Sequence, residues 1–188
     1  GQGIAEHLVQ SGLVEPEQLI ISNQSARHIE APWAQGCTYT VDNQVLVDSC
    51  DIIFLAVRPQ QMNGVDITVN DQLVISIMAG MTIQDLMQRT QAKHVVRSMP
   101  NAALSIGESF TPWCANDLPG NEVNKVTQLL STFGEQARVD DEDQINFFTA
   151  MTGSGQGILS YFASCMIDAA VGQGVSQSVA EQAVRKLF

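Results

Sequence analysis

Four short segments of small, turn-forming or amide residues each follow an apolar run of this 188-residue chain. They are Ser22-Asn23, Ala56-Val57-Arg58-Pro59, Met78-Ala79-Gly80 and Met99-Pro100-Asn101. Small side chains let a flat ring and a phosphate chain approach the backbone, and open α/β sheets bind ligands at the carboxyl ends of their strands. Any one segment could be an ordinary turn after a strand. Four in succession favour a nucleotide-cofactor cleft.

The segment that begins at Ser22 and Asn23 and ends at Arg27 indicates which dinucleotide would bind. It has no carboxylate, whereas domains that bind NAD usually place an acid there for the ribose 2′-hydroxyl. Domains that bind NADP use hydroxyl, amide and Arg groups instead. The sequence therefore predicts NADP(H), with NAD(H) possible and with a solvated Arg27 as the alternative. Gly1 could be the last small residue of a glycine fingerprint.

A second candidate site is the run Thr152-Gly153-Ser154-Gly155, which lies just before a long apolar helix. Glycines leave the N–H groups at a helix N-terminus unobstructed, and with the helix dipole these groups would hold a carboxylate. Thr152 and Ser154 could add hydroxyl donors. The alternative is a flexible turn between domains.

Acid–base and nucleophilic constellations are not visible in the sequence. The three His residues, His7, His28 and His94, lie far apart, and no Ser-His-Asp, Cys-His or paired-carboxylate pattern occurs. This fits hydride transfer, in which the cofactor carries the chemistry and the protein supplies binding and orientation.

Strands and helices that would position these segments can be predicted from the apolar pattern. Residues 19–22, 52–57, 73–77 and 95–99 are apolar nearly throughout, which is typical of a parallel sheet covered on both faces. Helices lie between them, one from Thr82 to about Arg89 with Thr82 and Asp85 as a capping box. A later helix ends at Gly134, and residues 135–139 could form an edge strand. The predicted fold is α/β, a doubly wound Rossmann-type, mostly parallel sheet.

Helices alone are predicted after about residue 143. Residues 145–150 and 158–171 indicate two helices, and the second is apolar nearly all round, which predicts burial in a bundle or an interface. Another helix begins at Ser176 or Ser178, and Ser178 with Glu181 is the better capping box. We expect a dinucleotide-binding domain over 1–143, lacking its first strand, and the beginning of a helical domain over 144–188. Both ends of the chain are expected to be cut.

Composition excludes several classes of protein. The net charge of −11 and the sequence pI of about 4.4 disfavour nucleic-acid and membrane partners. The four cysteines are scattered without a CxxC pair or a His at ligand spacing, so we expect no metal site. Scattered thiols and the absence of a signal peptide or a spanning segment predict a reducing cytoplasm.

A resemblance to a known family follows from these segments and their order. Together with residues 11–20, 51–60, 76–80, 97–101 and 107–108, the Gly153-Ser154-Gly155 run is similar to pyrroline-5-carboxylate reductases, which end proline synthesis. The resemblance implies reduction of the ring imine by NADPH, and a helical domain that holds the substrate carboxylate and interleaves in a homodimer or higher homo-oligomer. It also implies that the dinucleotide is surrounded by Ser22, Asn23, Asn43, Ala56, Val57, Pro59, Ala79, Gly80, Met99, Pro100 and Asn101.

Departures from the family pattern concentrate on the substrate side. Gln156-Gly157 stand where the family has Pro-Ala, and Ala102-Ala103 follow Asn101 where it has Thr-Pro. Tyr161 occupies the position of a Thr or small residue near the imine nitrogen, so Tyr161 and Thr152 are the candidate catalytic residues. The alternatives are a reductase of another imine or small carbonyl acid, a non-catalytic dinucleotide-binding protein, and a helical scaffold without cofactor.

Overall fold

Alternating strands and helices make up the computed structural model, which describes residues 1–25 and 27–187. The strands are β1 (Ile20–Ser22), β2 (Thr38–Thr40), β3 (Ile52–Leu55), β4 (Leu73–Ser76), β5 (His94–Ser98), β6 (Ser109–Ala115) and β7 (Gly134–Arg138). The helices are α1 (Gln2–Gln10), α2 (Asn43–Ser49), α3 (Ile83–Thr90), α4 (Gly120–Ser131), α5 (Asp143–Phe148), α6 (Gly155–Gly172) and α7 (Gln177–Arg185). Short 3-10 segments include Pro59–Gly64 and Ala102–Ile106, and a π-helical turn covers Thr149–Gly153.

The main sheet has five strands in the order β3-β4-β5-β6-β7. Strands β3, β4 and β5 are parallel, with Ile52 opposite Leu73 and Leu73 opposite His94. Strand β6 is antiparallel to β5, and β7 is parallel to β6. Strands β1 and β2 form a separate two-stranded parallel sheet. The predicted doubly wound, mostly parallel sheet is confirmed.

Apolar side chains cover both faces of the main sheet because neighbouring residues of a strand point to opposite faces. On one face Val74 and Val95 pack with Leu86 of α3 and Val47 of α2. On the other face the apolar residues of the sheet pack with those of α1 and α4. That second cluster contains Ile4, Leu8, Leu73, Ile75, Val96, Trp113, Val126, Leu129, Leu130 and Phe133.

The first residues of two helices can be compared with the capping residues that the sequence predicts. Thr82 and Asp85 form the predicted capping box, with the Asp85 N–H donating to Thr82 Oγ1 and the Thr82 N–H to Asp85 Oδ2, each at 3.1 Å. The preference for Ser178 was wrong, because α7 begins at Gln177 and its N-cap is Ser176. Ser178 instead lies inside the first turn, where its hydroxyl is 3.4 Å from that of Ser176.

The C-terminal helices differ in how they meet the rest of the chain. Ile145 of α5 is fully buried against Met99 and Cys114, so α5 packs on the sheet. Helix α6 has 18 residues, and none of them is buried. Among the residues that the structure describes, no helix combines the length and hydropathy needed to cross a membrane. The boundary near residue 143 stays a prediction.

Candidate functional site

A cleft of about 510 Å³, the strand-end cleft, opens between the first turn of α1 and the loops that follow β4 and β5. Gly1 and Gly3 line one side, and Ile77, Pro100 and Asn101 line the other. The segments after two neighbouring parallel strands therefore meet α1 at one edge of the sheet, where ligands bind in open α/β sheets.

Glycine at the start of α1 lets this helix pack closely on its neighbours. A Cβ on Gly1 would lie 3.2 Å from the Cβ of Ala56, and a Cβ on Gly3 would lie 2.6 Å from Leu104 Cδ2. Both distances are shorter than ordinary van der Waals contact. The first N–H groups of a helix have no partner within the helix, and they carry the positive end of its dipole. This arrangement fits a phosphate group.

The predicted nucleotide-specificity segment forms a hydrogen-bonded cluster at the end of β1. Ser22 Oγ donates to Asn43 Oδ1 at 2.6 Å. Asn23 accepts from the Arg27 N–H through Oδ1 at 2.9 Å and donates to the Arg27 carbonyl through Nδ2 at 3.0 Å. The side chain of Arg27 is exposed. The structure thus brings Ser22, Asn23, Arg27 and Asn43 together.

The remaining predicted cofactor residues follow β3, β4 and β5. Ala56, Val57 and Pro59 are half-buried after β3, while Ala79 and Gly80 form an exposed turn after β4, with φ of +73° at Gly80. Pro100 and Asn101 line the strand-end cleft. The side chain of Met99 points instead into the core beside Cys114 and Ile145 and is 7% exposed. Met99 is therefore a core residue, and its N–H donates to the Pro112 carbonyl at 3.0 Å rather than facing the cleft.

A second cleft of about 530 Å³, the α6 cleft, lies between the 3-10 segment Ala102–Ile106 and helix α6. Gln156, Leu159, Ser160 and Ala163 line its α6 wall. Ala102 and Ser105 line both clefts, so one short segment separates them. The Gln156 amide donates to Asn101 Oδ1 at 3.5 Å, a long hydrogen bond that joins α6 to the end of β5.

The predicted Gly-Ser-Gly loop is not a loop. The Ser154 N–H donates to the Thr149 carbonyl at 3.1 Å, the i→i−5 bond of a π helix, so the backbone stays helical from α5 into α6. Thr152 Oγ1 donates to the Phe148 carbonyl at 3.0 Å. Gly153 and Gly155 have no positive φ. Their missing side chains leave the start of α6 uncovered without making a sharp turn.

Tyr161, the other predicted catalytic residue, is 74% exposed. Residues 156, 160 and 163 share the face of α6 that lines the cleft, and Tyr161 lies about 100° around the helix from Ser160. The structure therefore does not bring Tyr161 into the α6 cleft formed by this chain.

The group that joins α5 to the sheet was not predicted from the sequence. Arg97 of β5 is 1% exposed and donates from Nη1 to Glu142 Oε1 at 3.0 Å and from Nη2 to Asn146 Oδ1 at 2.7 Å. Glu142 Oε1 also accepts from the Ile83 N–H at 2.8 Å, at the start of α3. The available signal was a lone Arg in an apolar strand, with Glu142 and Asn146 four residues apart on one helix face.

Comparison with known proteins agrees with this architecture. Residues 1–80 match the family model "NADP oxidoreductase coenzyme F420-dependent", and residues 142–188 match "Pyrroline-5-carboxylate reductase dimerisation". Pyrroline-5-carboxylate reductase 3 of Xenopus laevis is 29% identical over 191 residues, which cover 97% of this chain and 69% of that protein.

Solved structures share the fold. The pyrroline-5-carboxylate reductase of Coxiella burnetii superposes with a TM-score of 0.86 at 24% identity, over 99% of this chain and 72% of that one. The pyrroline carboxylate reductase of Plasmodium falciparum with NADP bound gives 0.84 at 23% identity, over 100% and 71%. Both family models and the Xenopus relative point the same way: the chain resembles pyrroline-5-carboxylate reductases over nearly its whole length.

Proposed function

We propose that this chain uses NADPH to reduce a cyclic imine, 1-pyrroline-5-carboxylate, to proline. The observation that carries the proposal is the wall shared by the two clefts, since Ala102 and Ser105 line both. A hydride donor in the strand-end cleft and an acceptor in the α6 cleft would meet at the edge of this wall. Hydride transfer needs little more than such an alignment of donor and acceptor.

The residues of the strand-end cleft fit a dinucleotide. The uncovered first turn of α1 would take the pyrophosphate, because its N–H groups are free and Gly1 and Gly3 carry no side chain. The hydrogen-bonded cluster of Ser22, Asn23 and Asn43 presents hydroxyl and amide groups without a carboxylate, which suits a 2′-phosphate better than a 2′-hydroxyl. Arg27 is exposed and free to approach that phosphate. When bound, NADPH supplies the hydride.

On the substrate side, the start of α6 would hold the carboxylate of the imine. Gly153 and Gly155 carry no side chain that would exclude a ligand there. Because the helix continues from the π turn and the Ser154 N–H is bonded to Thr149, polar side chains such as those of Ser154 and Gln156, rather than a free helix N-terminus, would contact the carboxylate. Thr152 already donates its hydroxyl hydrogen to Phe148, so it would contact the substrate as an acceptor. Tyr161 would reach a substrate only from a neighbouring subunit, given its orientation in this chain.

The charge of a protonated imine reduces what the protein must supply. The positive charge on the C=N bond disappears as hydride reaches the ring carbon, and the nitrogen already carries its proton. The site therefore needs groups that orient the ring and exclude water rather than a strong acid. This agrees with a cleft wall built from Ala102, Ser105, Gln156 and Ser160.

Self-association is the second part of the proposal. Helix α6 exposes several large apolar side chains, and the family model that covers it is named for dimerisation. A homodimer or higher homo-oligomer would bury them. The exposed fractions are 68% for Ile158, 74% for Tyr161 and 56% for Phe162; Leu159, 53% exposed, lines the α6 cleft instead. We also propose a cytoplasmic location, since the cysteines at 37, 50, 114 and 165 are all free.

The first experiment follows NADPH absorbance after pyrroline-5-carboxylate is added to the protein, with NADH as the parallel cofactor. We expect rapid oxidation of NADPH, slower oxidation of NADH and formation of proline in equal amount. Tight NADPH binding without turnover would overturn the proposed substrate. Other cyclic imines and small carbonyl acids are then tested, because Gln156 and Ala102-Ala103 give the α6 cleft a lining different from the family pattern.

A further inference from the structure

Among residues 1–25 and 27–187, Arg97 has the most deeply buried charged side chain, at 1% exposure. It reaches from the next-to-last residue of β5 to Glu142, the N-cap of α5, and to Asn146 within α5, through separate nitrogens of its guanidinium. Its third nitrogen, Nε, is buried and has no hydrogen-bond partner among residues 1–25 and 27–187. Burying a charge with one donor unpaired is costly, so this arrangement is a poor way to gain stability.

The position of Arg97 along the chain shows what it connects. Asn101, four residues after Arg97 and beyond the end of β5, lines the strand-end cleft. Three residues after Asn146 the chain enters the π-helical turn Thr149–Gly153, which leads into α6. Arg97 therefore fixes the element that ends at the cofactor side to the element that ends at the substrate side.

Glu142 connects a third element, helix α3, to Arg97. Its Oε1 accepts from Arg97 Nη1 and from the backbone N–H of Ile83, the first residue of α3. A planar guanidinium with two partners four residues apart on a helix fixes both the position and the rotation of that helix. A single apolar contact would resist separation but would allow α5 to turn about its own axis.

We propose that Arg97 is a positioning residue for hydride transfer. By fixing the rotation of α5, it sets where the π-helical turn and the first residues of α6 lie relative to Asn101, and so the alignment of imine and dinucleotide. This inference rests on the proposed imine reduction. This role requires no contact between Arg97 and either ligand, and Arg97 lines neither cleft.

The test compares Arg97→Met with Arg89→Met in the whole protein. Arg89 is an exposed residue of α3 that bonds Asn63 at 2.9 Å, so it controls for the loss of an arginine. For R97M we expect kcat/KM for the imine to fall about 100-fold, since small misplacements of reacting groups cost that much. The dissociation constant of NADPH, from fluorescence titration, should change less than about twofold, because Arg97 touches no strand-end group. R89M should leave all these quantities unchanged.

Hydrogen–deuterium exchange gives a readout that does not depend on turnover. In R97M the amides of residues 149–157 should exchange faster, whereas those of β4 should keep the protection of the native protein. If Arg97 only stabilises the fold, protection will fall throughout while the kinetic constants of the folded fraction stay the same. That result, or unchanged exchange at 149–157, overturns the inference.

If R97M does not fold, Asn146→Ala provides the second test of the inference. It removes one of the two partners and leaves the Arg97–Glu142 pair, so we expect a loss of about tenfold in kcat/KM and the same local rise in exchange. If the unmodified protein does not reduce the imine at all, the proposed substrate fails by itself. The exchange measurements then still decide whether Arg97 positions the start of α6.

Discussion

Strand β4 and helix α6 are both apolar in sequence, yet they have opposite surroundings. All four residues of β4 are buried, between α2 and α3 on one face and α1 and α4 on the other. None of the 18 residues of α6 is buried. Apolar composition predicts that a segment will be covered, but it does not say whether the same chain provides the cover. The next four experiments test this difference.

Thiol reactivity should separate the two regions most strongly. Burial raises the pKa of the Cys114 thiol in β6 to about 11. At pH 8 about one thiol in a thousand would be the reactive thiolate. Cys165 on α6 is exposed. We expect iodoacetamide to label Cys165 in dilute native protein and Cys114 only after unfolding in urea, as measured by mass spectrometry. Labelling of both at one rate would contradict the burial of β6.

Truncating a core side chain of β4 should have the next largest effect. Ile75 is 0% exposed, and Ile75→Ala leaves a cavity between the sheet and the α1–α4 layer. We expect the free energy of unfolding, from urea titration, to fall by about 3 kcal/mol. A loss below about 1 kcal/mol would mean that this layer collapses around the cavity.

Helix starts offer a smaller, matched comparison. Thr82 accepts from the Asp85 N–H at 3.1 Å, whereas Ser154, at the start of α6, makes no side-chain cap bond. Thr82→Ala should lower the free energy of unfolding by about 1 kcal/mol. Ser154→Ala should leave it nearly unchanged, because the hydroxyl of Ser154 only donates to Thr149 at 3.5 Å. Equal losses would mean that Ser154 caps α6 after all.

Phe162→Ala should have the smallest effect on a single chain. Phe162 is 56% exposed, so its loss should change the free energy of unfolding of dilute protein by less than about 0.5 kcal/mol. Self-association, measured by sedimentation velocity, should nevertheless weaken if α6 forms the interface. The control is Gln60→Ala, an exposed residue after β3, which should alter neither quantity. A large loss of stability would show that Phe162 itself packs on its own chain.

Much of the parallel sheet could be predicted because its strands are mostly apolar and some of the helices between them carry local start signals. Strand β6 could not, because Ser109, Thr111 and Pro112 interrupt its apolar pattern. Its buried hydroxyls are satisfied by each other, Ser109 Oγ lying 3.2 Å from Thr111 Oγ1. Such pairing depends on the folded strand and leaves no periodic signal. Helix α2 was missed as well, although Asp42 caps it.

The candidate site was predictable to a similar degree. Residues that follow a strand, such as Pro100 and Asn101 at the strand-end cleft, could be predicted because strand ends follow from the strands. Arg97 was not, because its partners lie 45 and 49 residues away and no local pattern indicates them. The Gly153 and Gly155 pair suggested a loop, yet glycine is also compatible with a helix when the neighbouring turns hold it in place.

The π-helical turn Thr149–Gly153 also sets the angular positions around the helix axis of the side chains that follow it in α6. A π turn holds one more residue than an α turn, so each later side chain is set back by about 100° relative to an uninterrupted α helix. That offset turns Gln156 and Ser160 toward the cleft and leaves Ile158 and Phe162 on the outside. One extra residue in the helical ladder thus decides which side of α6 faces the cleft and which side faces outward.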